Sequence, residues 1–513
     1  MRRSAPSRWQ TEAVGQPDRR PDAPPLRRAW SGHTLSRLPR GRANDRRAPQ
    51  SMPTFDATAE SLKAYRCPDW FRDAKFGIYV HWGVYSVPAQ GEWYARNMYI
   101  PGHSDYEYHR QAYGHPSKFG YKDLIPLWRA EKFDPDRLVG LFKDAGARYF
   151  TPCAIHHDNF DLWNSRHQRW NSVNMGPKQD ITGRWRDATL EHGLRWGVTT
   201  HLERTYSWFN VNKGADEEGE HVGVPYDGAD PEYADFYLEP HDDTDLRHPI
   251  NPPKSWCDMW ARRIKDLIDN YRPDHLYFDG AIPFQGDDDA RTGMEVMAYY
   301  YNRNQEWHGG RQECVMCIKD HADHGTYIPG VATQDMERRL ADELLQEPWQ
   351  TDTSIGPWGY HTDANYRPVG DIIRELVDIV SKNGNMLLNV PPRADGTLDS
   401  ETETILRDIG RWTAVNGEAI YDTRPWHQYG DGSLRFTTKN DTLYAFELEW
   451  PGERRTLNVP ISQADGSHVD VASVALLGHA GALEWAQHGS GLAITLPPRQ
   501  PSEHIAAFRI DFR

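Results

Sequence analysis

A parallel (β/α)8-like barrel followed by an antiparallel β-sandwich is the fold that this sequence predicts. Three observations lead to it. From about residue 70, short apolar runs alternate with amphipathic helical patterns, as in strands joined by crossover helices. Histidines and carboxylates fall repeatedly just after the strand patterns, on the face where the loops of a barrel converge. After about Trp426 the helical period disappears and only short strand patterns remain. The 513 residues exceed the ~250–300 at which one core stops growing. The chain therefore divides into a tail (1–51), a barrel (52–426) and a sandwich (427–513).

The tail is rich in Arg, Pro and Ala, has no Lys, and shows neither helical nor strand period. Such a segment cannot bury enough apolar area to offset its ordering entropy, so it is expected to be disordered. It also lacks the apolar core of a secretory signal, and no apolar run follows Arg2-Arg3. A cytoplasmic protein is the expectation, with an organellar transit peptide or a true start at Met52 as alternatives.

The first strand alternates Phe76, Ile78 and Val80 with Gly77, Tyr79 and His81, and a Gly-rich turn leads to Glu92-Trp93-Tyr94. Asp134 caps a helix with Pro135 at its first position, apolar at Leu138, Val139 and Phe142 and ended by Gly146. A strand over 148–153 runs into Ile155-His156-His157-Asp158, a helix spans 184–192, and a strand spans 195–200. Ser255 is the expected N-cap of a helix that buries Trp256, Trp260, Ile264 and Leu267 and stops at Pro273. The strand 275–278 then ends in Asp279-Gly280. A helix carrying Ile372, Ile373, Leu376 and Ile379 is closed by Gly384, with a strand over 386–390 behind it. Ser400-x-x-Glu403 reads as a capping box. In the last part, 434–438 and 442–450 form a hairpin about Lys439-Asn440-Asp441, and 469–477, 492–496 and 505–512 are further strands.

Net charge is −15, but the first 50 residues hold twelve Arg against four acids, so the rest carries −23. An acidic body is a poor match for phosphate backbones, which argues against nucleic acid as a partner. No uninterrupted apolar stretch approaches the ~18 residues of a membrane span. Five scattered cysteines do not make a disulfide framework in a chain this long. Aromatics are abundant, with 20 Trp and 25 Tyr, enough to fill a core and leave faces for sugar rings.

Several residues have the chemistry of a sugar site. Imidazole and carboxylate take hydroxyl hydrogen bonds while an indole face covers the C–H side of a ring, and His81, Glu92 and Trp93 offer that set. Asp279, at a strand end before a glycine, can serve as a rigidly held anion or simply cap the next helix. The pair His156-His157 also fits a metal, though no third ligand is evident. Cys314-x-x-Cys317 lies near His321-x-x-His324, but the gap is far shorter than the ~12 residues of a zinc finger. There is no dinucleotide-binding or Walker glycine pattern.

Four blocks, in order, resemble the family 29 glycoside hydrolases, the α-L-fucosidases, over roughly residues 68–426. They are His81 to Trp93; Ala154 to Trp163 with Asn171 to Asp180; Leu276 to Gly280; and Trp349 to Gly356 through Val380 to Asn389 and on to Tyr421. The resemblance implies that Asp279 is the nucleophile and that Glu337, ahead of Glu343 and Glu347, is the acid/base. It implies that His81, His156 and His157 hold sugar hydroxyls, that Glu92, Trp93 and Tyr277 face the sugar, and that Lys319 stands where many members carry an arginine. Arg338 and Arg339 must then point away from Glu337, whose pKa they would lower. Core packing is the competing reading of Tyr277. Thr199-Thr200-His201 and Gln350 depart from the common pattern. The family uses no metal and no cofactor.

The resulting expectation is a retaining exo-α-L-fucosidase acting on fucosylated oligosaccharides or glycoconjugates, with no nucleic-acid or membrane partner and a homo-oligomer left open. The alternatives are a catalytically silent sugar-binding protein and an exo-glycosidase acting on α-L-galactosides.

Overall fold

The computed structural model describes residues 54–513 apart from 247, 321–324, 451–455 and 463. The disorder expected of the tail, and His321 and His324 of the cysteine–histidine constellation, lie outside the described residues. Nine strands form the first sheet: β1 (Phe76–Tyr79), β2 (Tyr149–Phe150), β3 (Cys153–Ile155), β4 (Arg195–Thr200), β5 (His275–Phe278), β6 (Val315–Lys319), β7 (Thr333–Asp335), β8 (Trp349–Ser354) and β9 (Gly384–Asn389). Their order is β2-β1-β9-β8-β7-β6-β5-β4-β3, and β2 also pairs with β4, so the sheet closes on itself. Every pairing is parallel. β2 and β3 are halves of one stave, broken at Thr151-Pro152, where proline has no N–H for the ladder. The result is an eight-stave barrel.

Alternation along the strands sorts the core into two sets. Phe76, Ile78, Phe150, Val198, Leu276, Met316, Met386 and Leu388 belong to the large cluster shared with the helices. Tyr79, Tyr149, Tyr277, Cys317 and Leu387 belong to a second cluster with Phe71 and Ala74, which fills the barrel interior. Phe71 reaches it from the short helix Asp69–Ala74, whose Trp70 Nε1 donates to the Glu313 carbonyl and whose Phe71 carbonyl accepts from Asn385, near the strands' starting ends. Tyr149 lies so close to β1 that a Cβ on Gly77 would overlap its ring.

The helices around the barrel include α1 (Pro135–Asp144), α2 (Ile181–Glu191), α3 (Lys254–Tyr271), α4 (Arg291–Trp307), α5 (Val369–Ser381) and, after the last stave, α6 (Ser400–Asn416). Asp134 caps α1 by accepting from the Arg137 N–H at 3.1 Å, as its sequence implied. Other ends differ. α2 starts earlier, because Asp180 accepts from the Gly183 N–H at 2.9 Å. Ser255 is not a cap but the second residue of α3, which follows Pro253 directly. Asp399 caps α6 through the Thr402 N–H at 2.8 Å, one residue before Ser400. Gly384 does not close α5; it opens β9, and Asn383, at φ 72°, makes the turn.

Beyond α6 lie β10 (Arg424–Asp431), β11 (Leu434–Lys439), β12 (Thr442–Glu447), β13 (Thr456–Pro460), β14 (Val471–Leu476), β15 (Trp485–His488), β16 (Gly491–Thr495) and β17 (Ala506–Phe512). They form a five-stranded sheet, β10-β11-β12-β17-β14, and a three-stranded one, β13-β16-β15. All these pairs are antiparallel. Phe436, Leu443, Leu457, Ile461, Leu492, Ile494, Phe508 and Ile510 form the core of this part. Trp412 of α6 donates to the Ile505 carbonyl at 2.8 Å, and Arg435 binds Asp378 of α5 at 2.6 Å, tying the sandwich to the barrel helices. The five cysteines form no disulfide, and no helix among the described residues is long and apolar enough to cross a membrane.

The Gly77–Tyr149 contact gives a direct test of the barrel packing. Gly77→Ala is expected to destabilise the protein by about 1–3 kcal/mol, the usual cost of overpacking, lowering the thermal midpoint in scanning calorimetry. An unchanged midpoint would contradict this packing.

Candidate active site

A cavity of about 410 Å³ opens where the strands end. Tyr79 closes β1 and His81 follows it. His156 and His157 leave β3, His201 and Arg204 leave β4, and Asp279 leaves β5. Lys319 ends β6, Glu337 lies just past β7, Asp352 is on β8, and Trp358 is beyond it. Glu92 and Trp93 come from the loop after β1, and Leu246 from the long loop before α3. Side chains from loops distant in sequence meet here because parallel staves all end on one face.

Asp279 is buried among nitrogen-bearing side chains. Its Oδ1 is bonded by Lys319 Nζ. Its Oδ2 lies 3.1 Å from His201 Nδ1, 3.3 Å from His157 Nε2 and 3.3 Å from the Arg204 guanidinium, which also donates to the Asp279 carbonyl at 3.1 Å. Burial alone would raise the Asp279 pKa. Lys319 first, then Arg204 and His201, outweigh it and hold the carboxyl well below its ordinary range. Lys319 Nζ also donates to Glu337 Oε2 at 2.6 Å. Its own pKa is driven up despite burial by Asp279 and then Glu337.

The histidines differ in charge. Burial, then Arg204, lowers His157 to about 3, and its Nδ1 donates to the His201 carbonyl at 2.6 Å. Burial also opposes protonation of His201, but Cys153 and Asp279 outweigh it and push its pKa well up. His81 is held neutral by burial, then by His201. Its Nδ1 and backbone N–H both meet Asn389 Oδ1, at 3.0 and 2.9 Å, which leaves Nε2 as an acceptor. Asn389 is fixed in turn by donating to Ser354 Oγ at 2.9 Å and to the Trp358 carbonyl at 2.8 Å. His156 is likewise neutral by burial, then by His157, and its Nδ1 meets no partner among the described residues. Glu92 accepts from the Gly359 N–H at 2.8 Å, and burial raises its pKa.

Beneath this layer, Tyr79 donates to Asp352 Oδ2 at 2.9 Å. Asp335 stands behind, holding Gln350 at 2.8 Å and the Tyr277 hydroxyl at 3.4 Å. Burial, then Asp352, raises the Asp335 pKa.

Eight of the nine residues singled out from sequence meet in this cavity: Asp279, Glu337, His81, Glu92, Trp93, His156, His157 and Lys319. Tyr277 does not. It is fully buried in the interior cluster, one layer below the cavity. Glu343 and Glu347 are exposed and outside the lining. Arg338 stacks on the Trp358 ring at 4.3 Å and Arg339 pairs with Asp320, so neither is bonded to Glu337. Sequence reading missed Tyr79, Arg204, Leu246, Asp352 and Trp358 as lining residues, and it noted His201 only as a departure. The positions of His201 and Arg204 just past β4 were the available signal. His201 also supplies the third metal-type ligand that the pattern lacked. The donor atoms of His81, His156 and His201 lie within 4.8 Å of one another, as do those of His157, His201 and Asp279. The same atoms suit sugar hydroxyls.

Glu203, beside this site, is buried, and neither of its carboxylate oxygens meets a hydrogen-bond donor among the described residues. Burial, then Asp279, raises its pKa from 4.5 to about 7. Between those values the unfolded chain loses the proton while the folded chain keeps it, so stability falls as pH rises through the window. Above it the loss is complete, at about 3 kcal/mol. Glu203→Gln should therefore raise the melting temperature more at pH 8 than at pH 4.5. An equal shift at both would refute the buried, proton-bearing acid.

A family model for alpha-L-fucosidase matches residues 43–418, and one for the alpha-L-fucosidase C-terminal domain matches residues 430–511. The human tissue alpha-L-fucosidase is 30% identical over 492 residues, covering 91% of this chain and 93% of its own. The plasma alpha-L-fucosidase of Pongo abelii is 29% identical over 466 residues, covering 87% and 90%. The structure of Thermotoga maritima alpha-fucosidase in complex with fucose has a TM-score of 0.68 at 28% identity, covering 89% of this chain and all of that one. The same enzyme with a mechanism-based inhibitor has a TM-score of 0.69 at the same identity and coverage. With a matching barrel, a matching C-terminal domain and a family model spanning most of the sequence, this chain belongs to the α-L-fucosidase family of glycoside hydrolases.

Proposed function

We propose that this protein is a retaining exo-α-L-fucosidase that removes terminal α-L-fucosyl residues from fucosylated oligosaccharides or glycoconjugates by double displacement. One observation carries the reading: a single nitrogen, Lys319 Nζ, is bonded to both Asp279 and Glu337. Two hydrogen bonds of ~3 Å through one atom limit the bonded oxygens to ~6 Å apart. Retaining glycosidases hold their carboxyls at ~5–5.5 Å, whereas inverting ones need ~6.5–9.5 Å to admit a water.

Asp279, kept ionised by its cationic neighbours, attacks the anomeric carbon. Glu337, 28% exposed at the open side of the cavity, protonates the departing glycosidic oxygen. In the second half Glu337 takes a proton from water, the water oxygen attacks the anomeric carbon, and Asp279 is released with configuration retained. His81, His156, His157 and Glu92 supply hydroxyl partners, and Trp93 an apolar face. The Tyr79–Asp352 layer closes the inner end, which suits removal of one terminal ring. A silent binding protein would need neither the ionised Asp279 nor a second carboxylate held beside it. No step requires a cofactor.

Trapping with a 2-fluoro-fucosyl fluoride followed by peptide mapping should label Asp279, and Asp279→Ala should lower kcat for an aryl α-L-fucoside by at least about 10³-fold. A label on another residue would overturn the assignment. Lys319→Gln should raise the Asp279 pKa. Attack needs the anion, so the acidic limb of the kcat/KM profile should move to higher pH. An unmoved limb would mean that Lys319 does not hold the nucleophile ionised.

A further inference from the structure

We propose that this cavity also accepts α-L-galactosides, which carry a hydroxyl on the C5 substituent where α-L-fucosides have a bare methyl, and that Asp352 receives that hydroxyl. The inference rests on the hydrolase reading above and extends its substrate class.

A fucosyl ring has one substituent without oxygen, the C5 methyl. The aromatic part of the cavity is where such a group belongs. Tyr79, His81 and Trp358 form that part, with ring centroids 5.1 Å apart for Tyr79–His81, 5.4 Å for His81–Trp358 and 6.0 Å for Tyr79–Trp358. The niche is not apolar throughout. Asp352 lines the same cavity, is only 2% exposed, and is joined to the Tyr79 hydroxyl at 2.9 Å through Oδ2. No N–H or alcohol donor among the described residues reaches its Oδ1; its neighbour behind is the Asp335 carboxyl, whose pKa is raised by burial and then by Asp352.

A methyl in the niche offers no donor to this carboxylate, which has more lone pairs than the Tyr79 hydroxyl fills, and a buried carboxylate short of donors is costly. A hydroxymethyl adds one oxygen and one donor, at a site that offers an acceptor and aromatic walls for the carbon. The change leaves the anomeric chemistry at Asp279 and Glu337 untouched. Sites built to bond a hydroxyl discriminate strongly against analogues lacking it, whereas apolar pockets discriminate weakly against an added one. Asp352 therefore sets the ratio between the two sugars.

The test compares kcat/KM for p-nitrophenyl α-L-galactoside and α-L-fucoside on the intact protein and on Asp352→Leu. The wild type is expected to hydrolyse the galactoside within tenfold of the fucoside or better, and Asp352→Leu to lower the galactoside-to-fucoside ratio 10- to 100-fold. If the variant does not fold, inhibition of the wild type by free L-galactose and L-fucose decides, with L-galactose expected to bind at least as tightly. A wild-type galactoside value below 1% of the fucoside value, a ratio unchanged in Asp352→Leu, or weaker binding of L-galactose would overturn this inference and leave fucoside hydrolysis standing. Turnover of neither aryl sugar would overturn the hydrolase reading, and this inference with it.

Discussion

The site depends on keeping Asp279 charged while it is buried. An isolated carboxylate withdrawn from water takes up a proton instead. Here Lys319, Arg204 and His201 reverse that tendency. Asp279 leaves β5, Lys319 ends β6, and Arg204 and His201 follow β4. The ionised carboxylate therefore requires three neighbouring staves to be in register, and the pairings Thr199 with Tyr277 and Tyr277 with Cys317 supply that register. The barrel is thus a condition of the chemistry as well as its scaffold. A buried charge that loses one partner becomes a liability to the fold, so stability and activity are coupled at this aspartate.

Much of this arrangement was legible because period and position carry different information. Alternation in 275–278 and 76–80 identifies which side chains face the barrel interior, and strand ends identify which of them reach the mouth. Depth is not encoded that way. Tyr277 and Asp279 share a parity, yet Tyr277 lies in the interior cluster while Asp279 lines the cavity. Tyr79, also in that cluster, does reach the cavity floor, because each stave is staggered against its neighbours. Asp352 and Trp358 were invisible for the same reason: their roles depend on stagger and on loop path. The helix caps failed more locally. At α6 and α2 an aspartate took the capping position before the residue that the apolar pattern suggested.

The second part of the chain shares its packing with the first. Tyr444, Phe446, Ile505 and Ala507, from the sandwich strands and their approach, belong to the large barrel cluster, while Phe436, Leu443 and Phe508 fill the sandwich's own core. Alternate residues of β12 and β17 thus face two different cores. Antiparallel strands permit this division, since successive side chains point to opposite faces. The five-stranded sheet braces α5 and α6, the helices that flank β9 and hence Asn389, the residue that orients His81. Buttressing of the cavity wall follows from those contacts alone.

Lysine rather than arginine at position 319 has a geometric consequence. A guanidinium presents its donors along a planar fork and can hold two carboxylates well apart, whereas an ammonium gathers three donors on one atom. Asp279 and Glu337 meet at that single atom, so their separation is limited by two bond lengths. The bonded oxygens of Asp279 and Glu337 are thereby kept close together, the arrangement on which the proposed retaining reaction rests. The point charge that lowers the Asp279 pKa is thus also the tie between Asp279 and Glu337, and this double duty accounts for the burial of Lys319 despite the cost of desolvating an ammonium.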